Sequence, residues 1–346
     1  MKPEAHRSTE SRTKLEKVFC SFSSEKETFP SLSAQISATG SDRPKGKPVP
    51  DSLSAELIAV IVAVTAGTPR VLTLGQGHAL PSGSFESGQR SLQATLRNWV
   101  ELQTEQRLGY VEQLYTFADS DRGGEQGGRT ISISYLGLGR ESRKTAANAA
   151  WHSWYRYFPW EDHREGPPSL LAEKVLPQIQ AWAKTRAQKN RAAINFGFDG
   201  KIWNEELVLS RYELLFEAGL VPEWVRRHPD STDPALPGEA MDLDHRRILA
   251  TAIARLRTKI KYRPVFFELM PESFTLLQLQ QTVEAIAGRK LHKQNFRRQI
   301  DADGMVEETG AITTETGGRP AKLFRYRRDL QTERAIEGTK LPLARP

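Results

Sequence analysis

Between Glu56 and Leu74 the chain reads ELIAVIVAVTAGTPRVLTL, with an unbroken apolar run at 57–64. Eight residues are less than half a membrane span, and a run of that length predicts a strand buried on both faces. A second strand is expected after a Gly-Thr-Pro turn. A Pro/Gly-rich loop then leads into a helix over about 91–103. YVEQLYTF (110–117) and TISISYLGL (130–138) read as two further strands, with ADSDRGGEQGGR (118–129) as a flexible loop between them. After Glu141 the pattern turns helical. PPSLLAEKVLPQIQAWAKTRAQ and WNEELVLSRYELLFEAGLV are amphipathic, and the Pro/Gly/Asp-rich stretch 228–238 after them marks the best domain boundary.

The C-terminal pattern is sharper. Thr275 is placed as an N-cap with Gln278 three residues on, which predicts a capping box, and Phe274 can staple onto Leu279. Leu276, Leu279, Val283 and Ile286 form one apolar stripe, and Gly288 ends the helix. After the turn RKLHK, a second helix is expected at about 293–302, with Phe296 and Ile300 inward and Gln294, Arg297, Arg298 and Asp301 outward. Lys293 and Asn295 flank that outer face. A β-hairpin follows, MVEE, a Thr/Gly-rich tip, then RPAKLFRYRR. Helix, short turn, helix and hairpin is a winged helix-turn-helix. Arg, Asn and Gln on its second helix can pair with base edges in the major groove. Thr275, Arg319 and Lys322 are further candidate DNA contacts, the last two through phosphates. Ahead of this unit, residues 243–261 predict a long helix with Leu249, Ile253, Leu256 and Ile260 on one face. Asp242 or Asp244 should cap its start, and Lys259 and Lys261 suit its C-terminal dipole.

Charge sharpens this reading. Residues 241–330 hold 17 Lys+Arg against 11 Asp+Glu, while the other 256 residues hold 32 against 31, so the excess of +7 belongs mostly to the C-terminal segment. A localised basic excess favours a polyanionic partner. A single cysteine, Cys20, excludes an internal disulfide framework, and the seven scattered histidines show no zinc spacing. No apolar h-region follows the N-terminal basic residues, so a soluble cytoplasmic protein is expected. Residues 1–50, rich in Ser, Thr, Glu, Lys and Pro, are expected to form a disordered tail, and 331–346 a second tail.

The loop and helix at 83–104 carry the remaining candidate chemistry. GSFESGQRSLQATLRNWVELQT resembles the Nudix box, G-x5-E-x7-R-E-U-x-E-E-x-G-U, in which glutamates hold magnesium against a pyrophosphate. With Gly83 as the first glycine, Gln89, Asn98 and Leu102 replace three of four glutamates. Arg97 and Glu101 remain, Trp99 fills the bulky position and Thr104 replaces the closing glycine. One carboxylate would hold a hard dication poorly, so no metal and no cofactor are expected. Phe85, Arg97, Glu101 and Trp154 are the candidate nucleotide contacts. Trp154 lies in WHSWYRYFPWEDHREGPP, which reads either as an aromatic wall for a purine or as a plug tying the sheet to later helices.

The stretch HRRILATAIARLRTKIKYRPVFFELMPESFTLLQLQQTVEAIAGRKLHKQNFRRQI…GGRPAKLFRY resembles the C-terminal domain of the Nudix-related transcriptional regulators of NAD metabolism, the NrtR type, and the altered box adds support over about 53–140. The resemblance implies an α+β chain. A Nudix-like α/β/α sandwich with a mixed sheet would span 51–240, and a linker helix with a winged helix-turn-helix 241–330. It implies a repressor of NAD synthesis or salvage genes that binds a palindromic double-stranded DNA operator as a homodimer and responds to ADP-ribose or a related nucleotide. The alternative is a Nudix-type hydrolase with a basic appendage, which would need Glu161 and Asp162 as replacement acids.

Overall fold

The computed structural model describes residues 53–85, 91–117, 129–142, 144–228, 230, 236–314 and 320–327. The expected tails, and the 118–129 loop apart from Arg129, lie outside them. β1 (Leu53–Thr65) and β2 (Thr68–Leu74) form a hairpin in which Thr65 faces Thr68. The turn is therefore Ala66–Gly67, both at positive φ, and Thr68 and Pro69 already belong to β2. Two residues at positive φ match the right-handed twist of paired strands, which explains the one-residue shift from the expected turn. β3 (Ser82–Ser84) also pairs with β1. Helix α1 (Leu92–Thr104) follows, capped by the Ser91 side chain, then β4 (Tyr110–Phe117) and β5 (Arg129–Leu138).

The sequence pattern missed two strands, the three-residue β3 inside the expected Pro/Gly-rich loop and β6 (Ala149–Ser153), because AAWHS is short and merges into the aromatic segment. The resulting sheet has the order β4-β5-β1-β2-β6, with β1 and β5 parallel and the other pairings antiparallel. β1 lies inside this order and uses both faces. Ile58, Val60 and Val62 enter one apolar cluster, and Leu57, Ala59 and Ile61 enter another beneath α1. That division explains why the run 57–64 shows no alternation of polarity.

The helical stretch breaks into shorter pieces than its periodicity suggested. A π turn at Leu171–Val175 leads into α2 (Leu176–Trp182), and α3 (Arg186–Phe196), α4 (Val208–Glu217) and α5 (Pro222–Arg227) follow. α6 (His245–Lys259) buries Leu249, Ile253 and Leu256, and Ile260 just beyond it, as expected. Asp244 is its N-cap residue, but the Asp244 side chain makes no capping hydrogen bond. α7 (Leu276–Ala287), α8 (Lys293–Asp303), β7 (Val306–Thr313) and β8 (Ala321–Tyr326) complete the winged helix. Among the described residues no helix is long and apolar enough to cross a membrane.

The core facing away from α1 is continuous from β1 and β5 through α4, α6 and α7 to Phe296 and Ile300 of α8. The aromatic segment fills its centre, with Trp154, Tyr157, Phe158 and Trp160 all at 0% exposure. Buried among these groups, Glu161 accepts Arg211 Nε at 2.6 Å and Nη2 at 2.8 Å, and Arg257 Nη1 at 2.6 Å. Other guanidinium hydrogens find backbone acceptors. Arg211 donates to Asn195 O and Asn204 O, and Arg257 to Ile286 O, Glu205 O and Glu161 O. Burial alone would raise the Glu161 carboxyl, but Arg211 and Arg257 hold it below the usual carboxylate range.

Removing the central charge would leave two buried guanidinium groups facing each other. Glu161→Ala should therefore lower unfolding free energy by about 3–5 kcal/mol, the cost of breaking a buried pair, as read by urea titration. Because the folded pKa is depressed, the wild-type contribution is fully present above the unfolded value of about 4.3 and is lost as pH falls through the folded one. A urea midpoint insensitive to Glu161→Ala at neutral pH would contradict this.

Candidate nucleic-acid interface and nucleotide cleft

The second helix of the winged unit is positioned by a buried carboxylate in the first. Thr275 caps α7 by accepting Gln278 N at 3.1 Å, while Gln278 Oε1 accepts Thr275 N at 2.7 Å, completing the expected capping box. Glu284 accepts Leu291 N at 2.9 Å and Gln280 Nε2 at 2.8 Å, which fixes the turn after Gly288. Phe296 and Ile300 then anchor α8 at 0% exposure. Phe274 and Phe324 exchange both backbone hydrogen bonds, so the wing is tied to the start of α7.

This leaves Lys293, Gln294, Asn295, Arg297 and Arg298 exposed on one helix. None of the five makes a side-chain hydrogen bond or ion pair among the described residues, so the set is open to an external partner. Thr275 is 2% exposed and its hydroxyl is used by the cap, which makes it a positioning residue and withdraws the side chain from direct DNA contact. Arg319 lies outside the described residues. Lys322 is exposed but paired with Glu308 at 2.9 and 3.0 Å across the hairpin, and Arg325 pairs with Glu307.

At residues 83–104 the loop and helix are clamped by packing. A Cβ on Gly83 would lie 2.4 to 2.7 Å from the Trp99 ring, so the box glycine is kept for close approach. Trp99 Nε1 donates to Ser84 O, and Gln103 Nε2 donates to Ser82 O at 2.6 Å. Arg97 donates to the carbonyls of Leu108 and Gly109 and so holds the chain entering β4. Glu101 is half exposed and pairs with Arg107 at 2.8 Å. Among the described residues no group of three His, Cys, Asp or Glu side chains could hold a metal ion.

The four expected nucleotide contacts do not converge. Phe85 packs with the cluster beneath α1, whereas Trp154 is fully enclosed on the other side of the sheet. The plug reading holds for Trp154, whose ring has no accessible face. Glu161 and Asp162 are likewise engaged, Asp162 by Arg164 at 2.8 Å, so neither is open to a metal. On the α1 side, sequence reasoning missed a different group. Trp151 packs into the same cluster as Phe85, and Arg70 of β2 donates to Trp151 O and pairs with Glu141 at 3.6 Å. Arg70 Nε and Glu141 Oε2 face each other in that ion pair, and the indole Nε1 of Trp151 is shielded from solvent without a hydrogen bond among the described residues. These residues were illegible because they come from two strands and a loop, one of the strands itself unrecognised.

Residues 266–326 match the family model described as the NrtR DNA-binding winged helix domain. A curated relative from Acinetobacter baylyi, described as an ADPR responsive transcriptional repressor, NtrR, is 43% identical over 83 residues, which are 24% of this chain and 33% of the relative. The match therefore spans about a third of the relative's length. The crystal structure of Shewanella oneidensis NrtR complexed with a 27mer DNA covers 80% of this chain and 95% of its own, at a TM-score of 0.51 and 18% identity. That likeness shows the fold. The chain is α+β, a domain with a mixed sheet followed by a C-terminal winged helix, the part that matches the NrtR family model.

Arg298→Ala should weaken binding to a preferred duplex by about 1–3 kcal/mol if its guanidinium reads a base. Lys322→Ala should weaken all duplexes about equally and reduce the salt slope, because a phosphate contact carries no sequence information. Fluorescence anisotropy across a salt series, with preferred and scrambled duplexes, separates the two. An equal loss on both duplexes for Arg298→Ala would remove it from base reading.

Proposed function

We propose that this chain is a DNA-binding transcriptional repressor whose Nudix-like domain senses ADP-ribose, or a close NAD derivative, without hydrolysing it. The observation that carries the proposal is α8, which presents five polar or basic side chains with no partner of their own on a helix braced by a wing. Its basic surroundings favour duplex DNA, and a homodimer would match a palindromic operator by placing two such helices on successive half-sites. The ADPR response printed for the Acinetobacter relative supports the ligand class. On the α1 side of the sheet, Arg70 is the guanidinium suited to a diphosphate, in exchange for its pairing with Glu141, and Trp151 offers an indole N–H for a base edge. The box helix supports binding without turnover, since Glu101 alone remains of the four acids and it points to Arg107.

ADP-ribose should lower affinity for an operator duplex by roughly 5–150-fold, the usual range of allosteric coupling. It should be recovered intact after incubation with the protein and magnesium. Anisotropy with a duplex selected by the full-length chain from a random pool, together with chromatography of the nucleotide, tests both parts. Release of AMP at enzymatic rates, abolished by Glu101→Gln, would replace the sensor with a hydrolase.

A further inference from the structure

The altered box and the winged helix are joined by a short piece of chain whose two tyrosines point opposite ways. The turn Trp154–Arg156 follows directly after β6, the strand that carries Trp151. Two residues apart on this piece, Tyr157 and Tyr155 donate to different parts of the molecule. Tyr157 Oη donates to Gly77 O at 2.7 Å, in the loop that runs from β2 towards the box. Tyr155 Oη donates to Ala285 O at 3.1 Å, in the last turn of α7. Burial raises both phenols, Tyr157 to about 12, so each stays a neutral donor at physiological pH.

The end of α7 receives two more donors from the same side. Arg257 Nε donates to Ile286 O at 2.9 Å, and His163 N donates to Gly288 O at 2.8 Å. The helix that positions α8 thus hangs by its terminal carbonyls from the aromatic segment and α6. The fit is close, because a Cβ on Gly288 would lie 2.6 Å from both Glu161 O and Arg257 Nη2 and 3.2 Å from Tyr155 Oη. α6 is tied to the same loop at its other end, where Leu80 N donates to His245 Nδ1 at 3.0 Å and Asp242 N to His78 O at 2.7 Å.

From this we infer that Tyr155 and Tyr157 are the residues through which nucleotide binding on the α1 side of the sheet changes the placement of the DNA-reading helix. The inference rests on the sensor reading above and adds its route. A ligand contacting Trp151 or Arg70 bears on β6 and β2, and both strands lead directly into the two ends of this strap. The hydroxyls touch neither the cleft side of the sheet nor α8, so removing one leaves both binding surfaces in place. Coupling requires a contact whose strength differs between the two states, and a single neutral hydrogen bond on a helix terminus can be lost without unfolding the core.

The test is Tyr155→Phe in the full-length chain, compared with wild type in three titrations: selected duplex alone, ADP-ribose alone, and duplex with saturating ADP-ribose. The expected result is that each single affinity stays within about threefold of wild type while the ratio of duplex affinities without and with nucleotide falls at least threefold towards unity. A purely structural role would lower the melting temperature or the duplex affinity and leave that ratio unchanged, which overturns the inference while the sensor reading stands. A wild-type ratio of unity overturns the sensor reading and this inference together and is visible in the wild-type arm alone. Tyr157→Phe cuts the other end of the strap and should reproduce the loss of ratio. Full wild-type coupling in a folded Tyr157→Phe protein also counts against the inference.

Discussion

The Glu161 carboxylate, closed off from water between Arg211 and Arg257, holds together parts of the chain that no backbone pairing joins. Arg211 belongs to α4, Arg257 to α6, and Glu161 to the turn after the aromatic segment. Each guanidinium also donates to carbonyls from other elements, including the last turn of α7 through Ile286. A buried charge without such partners would cost more than its Coulomb attraction returns. The geometry therefore admits few alternatives, and the placement of the winged helix follows from it. A second buried pair sits in the first turn of α6, where Arg246 is bonded to Glu223 and the Tyr157 carbonyl among the rings of Phe158, Trp160 and Tyr212.

The loop and helix at 83–104 keep their shape by local contacts. Gly83 against Trp99, Gln103 against Ser82 and Arg97 against the Leu108 and Gly109 carbonyls are packing and hydrogen-bond requirements of the fold. None of them depends on a metal. A loop and helix so fixed form a preorganised surface, as the proposed recognition of a nucleotide without its cleavage requires.

The parts legible in the sequence are those governed by local rules. The capping box at Thr275 and Gln278, the stop at Gly288 and the inward pair Phe296 and Ile300 follow from spacing alone, and the structure has all of them. The strands 57–64, 110–117 and 130–138 were legible because apolar residues recur over their length. The misreadings concern long-range partners. Trp154 looked like a stacking face until α6 and the sheet were seen to enclose it, and β6 was hidden because an edge strand of AAWHS has no periodicity of its own. Arg211, Arg246 and Arg257 sit on amphipathic helices where basic residues ordinarily face water, and only the carboxylates of Glu161 and Glu223 explain their burial.

The central claim is that one molecule binds nucleotide and DNA through sites that oppose each other. Thermodynamic linkage makes the opposition reciprocal. The most direct measurement is calorimetric titration of ADP-ribose into the full-length protein, first without DNA and then with a saturating selected duplex. The account predicts that the duplex weakens nucleotide binding by the same factor by which the nucleotide weakens duplex binding. Equal nucleotide affinities in the two titrations would contradict it.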